Sequence, residues 1–181
     1  MKRILIILSI ALFIGQLLCQ FTYAQVNVVL QDNEIPGMII HRPVRIAYWP
    51  IAIVKGMPVD TEGVYQDATI QGLEVSIKYT EFGNTNEAHQ AVTWHSTNMQ
   101  SGFYPGLWDG ATNKSIGDES WYSPNPGGGN TILFRSGRIC VLAGCIGVGD
   151  QEKQNQVAEL LAKPVEDKIK KGGRVILPYD E

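Results

Sequence analysis

The sequence predicts an α+β domain: a mostly antiparallel sheet with one internal helix and one long C-terminal helix packed on it. Three observations carry this. Val64 to Tyr79 has the alternation of a hairpin with one apolar side. Ile132 to Leu142 has that of a hairpin apolar on both sides, which belongs in the middle of a covered sheet. Two stretches of helical periodicity, after Asn84 and after Asp150, are available as the covers.

The chain opens with Lys2 and Arg3, an apolar run from Ile4 to Leu18, and the small residue Ala24 before polar chain. Basic start, apolar middle and small residue form an export signal, with the natural cut between Ala24 and Gln25. Gly15 and Gln16 interrupt the run, which falls short of the roughly 20 residues that span a bilayer. A cleaved leader over residues 1–24 is therefore expected, with no stable membrane span afterwards and a secreted or periplasmic location. Cys19 raises a lipid-anchor alternative, which the large Leu18 in front of it disfavours. Residues 25–181 then make a single α+β domain, its core at about 63–171, long enough to bury a real interior.

Val26 to Leu30, Met38 to His41 and Arg45 to Val54 follow as strands, the last disturbed by Pro50. With Gln71-Gly72 as a two-residue loop, Ile70 faces Leu73, Ala68 faces Val75, Gln66 faces Ile77 and Val64 faces Tyr79. The other side pairs Thr69 with Glu74, Asp67 with Ser76 and Tyr65 with Lys78, which suits water. Asn84 with Glu87 resembles a capping box, and Ala88, Ala91, Val92, His95 and Met99 follow at helical spacing. Phe103 to Asn130 is a long connection rich in Gly, Pro and Asn, broken by a short strand near Ser120 to Tyr122.

The second hairpin turns at Ser136-Gly137, so that Arg135 faces Arg138, Phe134 faces Ile139, Leu133 faces Cys140 and Ile132 faces Val141. Asp150 caps the last helix, Val157, Leu160, Leu161, Val165 and Ile169 form its buried stripe, and Pro164 should kink or split it. Lys168, Lys170 and Lys171 suit its C-terminal end, and Gly172-Gly173 stops it.

Ile116-Gly-Asp-Glu-Ser-Trp121, followed by Leu133-Phe-Arg-Ser-Gly-Arg-Ile-Cys-Val141 and a terminal helix, resembles a pattern in exported bacterial proteins of unknown function. Their shape is similar to the Mog1/PsbP-like α/β/α sandwich. The resemblance covers about Gly63 to Lys171 and implies that fold without carrying over any catalytic residue.

Composition narrows the function. Loss of Lys2 and Arg3 takes the formal charge from −3 to −5, since the leader holds no acidic residue, and no basic stripe is visible. A nucleic-acid partner is therefore not expected. Leader cleavage removes Cys19 and leaves Cys140 and Cys145, in a compartment where disulfides persist. Five residues along a strand cover roughly 16 Å and change faces, so a disulfide between them needs a turn near Gly144. The alternative is two small buried apolar side chains. Neither cysteine has a histidine nearby, so no metal is expected, and nothing points to a cofactor.

Three groups compete as sites. Arg135 and Arg138, facing one another, would repel unless an anion lay between them. Asp118 and Glu119 are available for that, which makes a structural cluster; an anionic ligand held by the two guanidiniums is the sharper alternative. Tyr104, Trp108 and Trp121, with Phe103 and Tyr122, put aromatic plates into one glycine-rich segment, either as a lid on the sheet or as a surface for a sugar or partner. Among His41, His89 and His95, the last lies on the apolar helix stripe and reads as a buried histidine rather than a base.

Gly144 to Gly149 lacks the Gly-x-Gly-x-x-Gly order of a phosphate loop, and no serine sits in a nucleophile elbow. The expectation is an exported, non-catalytic domain that binds a protein, an envelope polymer or a small ligand. A hydrolase using Asp118 or Glu119, and a structural or assembly factor, are the alternatives.

Overall fold

The computed structural model describes residues 26–41, 45–54, 57–98, 116–125, 129–146 and 149–177. The leader, Met99, Tyr104 and Trp108 lie outside them.

Seven strands form one antiparallel sheet: β1 (Met38–Ile40), β2 (Arg45–Val54), β3 (Met57–Ile70), β4 (Leu73–Glu81), β5 (Glu119–Asn125), β6 (Gly129–Ser136) and β7 (Ile139–Ile146). Their order is β5-β6-β7-β4-β3, with β1 and β2 sharing the outer edge of β3. Helix α1 (Thr85–Asn98) packs against β2, β6 and β7, and α2 (Gln151–Lys170) against β6 and β7 from the opposite side. The fold is therefore α+β, with the long C-terminal helix on the sheet, as the hairpin and helix patterns predict.

The β3–β4 hairpin has the predicted register, Val64 opposite Tyr79 through Ile70 opposite Leu73. Its turn residues Gln71 and Gly72 both take positive φ, 52° and 77°, the backbone that matches the right-handed twist of the flanking strands. The β6–β7 hairpin corrects its prediction. Ser136 pairs with Ile139, Arg135 with Cys140 and Phe134 with Val141, so the turn is Gly137-Arg138 rather than Ser136-Gly137. Gly137, with φ of 58°, takes the first turn position, where only glycine accepts that backbone cheaply. Each residue's partner moves by two, so no side chain changes face.

Alternation on β6 and β7 splits the interior in two. Ile132, Phe134, Val141 and Ala143 join the main core under α2, while Leu133 and Cys140 join a smaller core with Phe82, Ala88, Ala91 and Val92 under α1. The main core also reaches upstream of Gly63. Val28, Val29, Leu30, Ile35 and Met38 are buried in it. Val26 to Leu30, predicted as a strand, is instead an extended strap whose single bridge pairs Asn27 with Arg174 in parallel. Two hydrogen bonds make that bridge, from the Val28 N–H to the Arg174 carbonyl and from the Arg174 N–H to the Val26 carbonyl.

Helix α2 departs from its predicted stripe. Val157, Ala158, Leu161, Ala162 and Val165 face the sheet, and Leu160 is 37% exposed. Two alanines on the buried side let the helix lie close, which the larger leucine would prevent. The helix also runs as one element through Pro164. The residue whose carbonyl loses its partner there is Leu160, on the side of the helix that water can reach. Asp150 caps the start as expected, accepting from the N–H groups of Glu152 and Lys153.

A buried polar chain fastens the strap to the sheet. The Tyr79 hydroxyl donates to Gln66 Oε1 at 2.9 Å, Gln66 Nε2 donates to the Leu30 carbonyl at 2.7 Å, and the Leu30 N–H donates back to the Tyr79 hydroxyl at 3.3 Å. Burial and the neighbouring Glu34 charge hold the phenol neutral, well above its ordinary range. Lys168 adds a second fastening, through the Val29 carbonyl at 2.9 Å and Glu34 at 2.5 Å.

Tyr79→Phe leaves Gln66 Oε1 and the Leu30 N–H in the core without the hydroxyl between them. We expect a loss of about 1–3 kcal/mol in urea unfolding. Faster amide exchange at Leu30 should accompany it, and unchanged exchange would refute the fastening role.

Candidate functional site

Arg135 and Arg138, predicted to face each other, are parted by the shifted turn, and the two guanidiniums meet different carboxylates. Arg135 is a buried group, with its side chain 11% exposed. Its Nε contacts Glu119 at 2.5 Å, and its Nη1 contacts Asp118 at 3.0 Å and the Gly137 carbonyl at 2.6 Å. Asp118 also accepts from the Gly137 N–H at 2.8 Å, which closes the turn over the arginine. Glu119 accepts in addition from His89 Nδ1 at 2.8 Å. The predicted acidic partners are thus in place, and they make Arg135 structural.

Gly117 permits this arrangement. Its φ is 69°, and a Cβ there would run into the Arg135 carbonyl. Its N–H is held by Glu166 of α2 at 2.7 Å. The following residues, Asp118 and Glu119, are thereby aimed at the guanidinium. Both carboxylates are engaged by Arg135, and His95 lies close enough to Lys78 to feel its charge. His89, on the exposed side of α1, is the histidine that Glu119 reaches.

Arg138 turns instead to Glu81 at the end of β4, where a third arginine joins it. Glu81 Oε1 lies 2.6 Å from Arg138 Nη2 and 2.5 Å from Arg174 Nε, and Glu81 Oε2 accepts from the Val175 N–H at 3.0 Å. The Glu81 side chain is only 10% exposed, whereas Arg138 and Arg174 are 41% and 47% exposed. Oε1 is buried, and the two guanidiniums neutralise it. Each guanidinium carries five N–H groups, more than its contact with Oε1 uses, so donors remain for a second acceptor. They border a cleft of about 330 Å³ whose other walls include Glu62, Phe82 and Leu177. Arg174 went unnoticed in the sequence because it lies beyond the last helix, with no local pattern linking it to Glu81.

A second hollow, of about 410 Å³, lies on the water-facing side of β3 and β4 between His41, Arg45, Tyr65, Asp67 and Glu74. Its guanidinium is committed: Arg45 pairs with Asp67 at 3.2 Å and lies over the Tyr65 ring at 4.3 Å. Lys78 lies 5.5 Å from the same ring, and burial, then the Arg45 charge, lowers its pKa. Burial, then Asp67, raises that of Tyr65.

Of the aromatic group, Trp121 packs partly buried against the core under α1 and Tyr122 against the main core, so both act as lid rather than as free plates. The two cysteines are free thiols. β7 runs unbroken through Gly144, which places Cys140 under α1 and Cys145 under α2, on opposite faces. The turn that a disulfide requires is absent. Burial raises the pKa of both thiols, that of Cys145 to about 11, so they behave as small apolar side chains. Among the described residues no cluster of three His, Cys, Asp or Glu side chains could hold a metal ion, and no helix is long and apolar enough to cross a membrane.

His95 is 3% exposed, and its pKa is lowered from 6.5 to about 4, by burial first and the Lys78 charge second. The folded state therefore resists a proton that the unfolded chain takes up. Stability from this group is full above pH 6.5 and is lost as pH falls toward 4, by at most about 3 kcal/mol. Urea unfolding at pH 7 and pH 4.5 should show the loss, and His95→Gln should flatten that part of the profile; an unaltered slope in the variant would refute it. Comparison of the chain with protein-family models, curated proteins and solved structures finds no match.

Proposed function

We propose that this is an exported, non-catalytic binding domain, and that its ligand carries a carboxylate seated against Arg138 and Arg174. The single observation behind this reading is the pair of half-exposed guanidiniums drawn together over one buried carboxylate at the rim of a cleft. Glu81 offsets one of their two charges and holds both side chains in place, so less side-chain entropy is lost when a ligand arrives. A second carboxylate would then meet two guanidiniums with N–H donors to spare, which form charge-assisted hydrogen bonds with such an acceptor. Phe82 and Leu177 offer apolar surface beside that charge, as small-ligand sites generally do. Export is supported by the leader pattern of residues 1–24.

The test is an NMR titration of the amide-labelled protein with L-leucine and N-acetyl-L-leucine, two apolar carboxylates. Saturable shifts should centre on the amides of Phe82, Arg138 and Val175. Arg138→Gln and Arg174→Gln should each weaken the response about tenfold or more. The reading fails if neither compound shifts these amides at tens of millimolar, or if both variants respond as the parent does.

A further inference from the structure

We infer that the strap, Val26 to Leu30, is the latch of this cleft: the Arg138–Arg174 rim is complete only while the strap is docked, so a bound carboxylate and the docked strap hold one another in place. This rests on the carboxylate reading above and adds what governs that site. Arg174 faces two ways. Its guanidinium meets Glu81, while its main chain is taken on both sides by the strap, its N–H given to the Val26 carbonyl at 2.8 Å and its carbonyl accepting from the Val28 N–H at 3.0 Å. The Val175 N–H is given to Glu81 at 3.0 Å. The strap, Arg174 and the carboxylate that seats Arg138 therefore form one continuous line of contacts.

The fit is close. A Cβ on Gly173 would lie 2.7 Å from the Lys168 carbonyl and 2.8 Å from Val28 Cγ1, so the residue that leads into Arg174 is held between the end of α2 and the strap. The rim needs that hold, because two guanidiniums gathered at one carboxylate repel each other and a released Arg174 moves away. The strap is also the part of the main core that opens most readily. Its only ladder is the single bridge at Asn27, whereas β4 is paired with a neighbour on both sides, and segments with few backbone bonds open before the rest of a fold. A ligand that spans both arginines binds the docked form and not the open one, so it opposes opening.

Amide hydrogen exchange tests this in two arms. In the first, without ligand, Glu34→Gln or Lys168→Met removes the ion pair that fastens the strap, and neither residue lines the cleft. Exchange at Val28, Leu30 and Val175 should quicken together by about tenfold. The Gln154 amide, at the other end of α2, should keep the parent's rate. In the second, N-acetyl-L-leucine at about ten times its dissociation constant should slow Val28, Leu30 and Val175 in the parent about tenfold and leave Gln154 alone. The latch is overturned if Val28 and Leu30 do not quicken in either variant, or if they quicken without Val175. It is equally overturned if the compound shifts the Phe82, Arg138 and Val175 resonances and does not slow Val28 and Leu30, and the carboxylate reading then stands. If the compound does not bind, the carboxylate reading falls; joint quickening of the three amides then still supports the latch, and its absence overturns both.

Discussion

A strand pair with apolar residues on both faces cannot border water on either, and β6–β7 is such a pair. Ile132, Phe134, Val141 and Ala143 need one cover, and Leu133, Cys140 and Leu142 need another. This forces helices onto opposite sides of the sheet and keeps the pair away from its edges, so β4 flanks it on one side and β5 on the other. The half-apolar β3–β4 hairpin can then extend outward, with only its Val64 to Ile70 side closed by α2 and the strap. Seen this way, the strap is not an appendage. It fills the part of the main core that α2, which packs chiefly on β6 and β7, leaves open.

Those hairpins were legible because their information is local. Gln71-Gly72 lies between two alternating stretches, and positive φ at both positions leaves one register to adopt. Around Gly137 the same rule admits two answers, since glycine can serve as the first or the second turn residue, and apolar patterning cannot separate registers that differ by two. The faces were therefore recoverable and the partners of Arg135 and Arg138 were not. The strap misled for a related reason. Val26 to Leu30 is apolar enough for a strand, but its backbone is satisfied by Arg174, Tyr79, Gln66 and Lys168, residues 36 to 148 positions away. No period in a sequence encodes such contacts.

The three arginines of this end of the sheet show how burial sorts like residues into different work. Arg135 is surrounded by two carboxylates and a carbonyl, and removing any one would strand charge in a nearly dry site. Its pairs belong to the fold. Arg138 and Arg174 share a single buried carboxylate and keep about half their surface in water. A buried carboxylate needs a counter-charge, so one guanidinium serves the fold. The second exceeds what a single carboxylate requires, and a rim that holds both in position suits the recognition of another acceptor.

Arg174 occupies a place that ties this rim to the core. Its backbone bonds the strap on both sides of Asn27, while its guanidinium stands in the cleft beside Glu81. The next residue, Val175, gives its N–H to the same carboxylate. The position of the guanidinium is therefore set by three separate segments: the end of β4, the β6–β7 turn through Arg138, and the strap through the Arg174 backbone. Loosening the strap would free the Arg174 main chain and with it one of the two charges at the rim. Linkage makes the relation reciprocal, because anything that binds the assembled rim and not the loosened one must stabilise the strap by the same free energy. The buried Tyr79–Gln66–Leu30 chain, at the far end of the strap, thus belongs to the same energetic unit as the cleft.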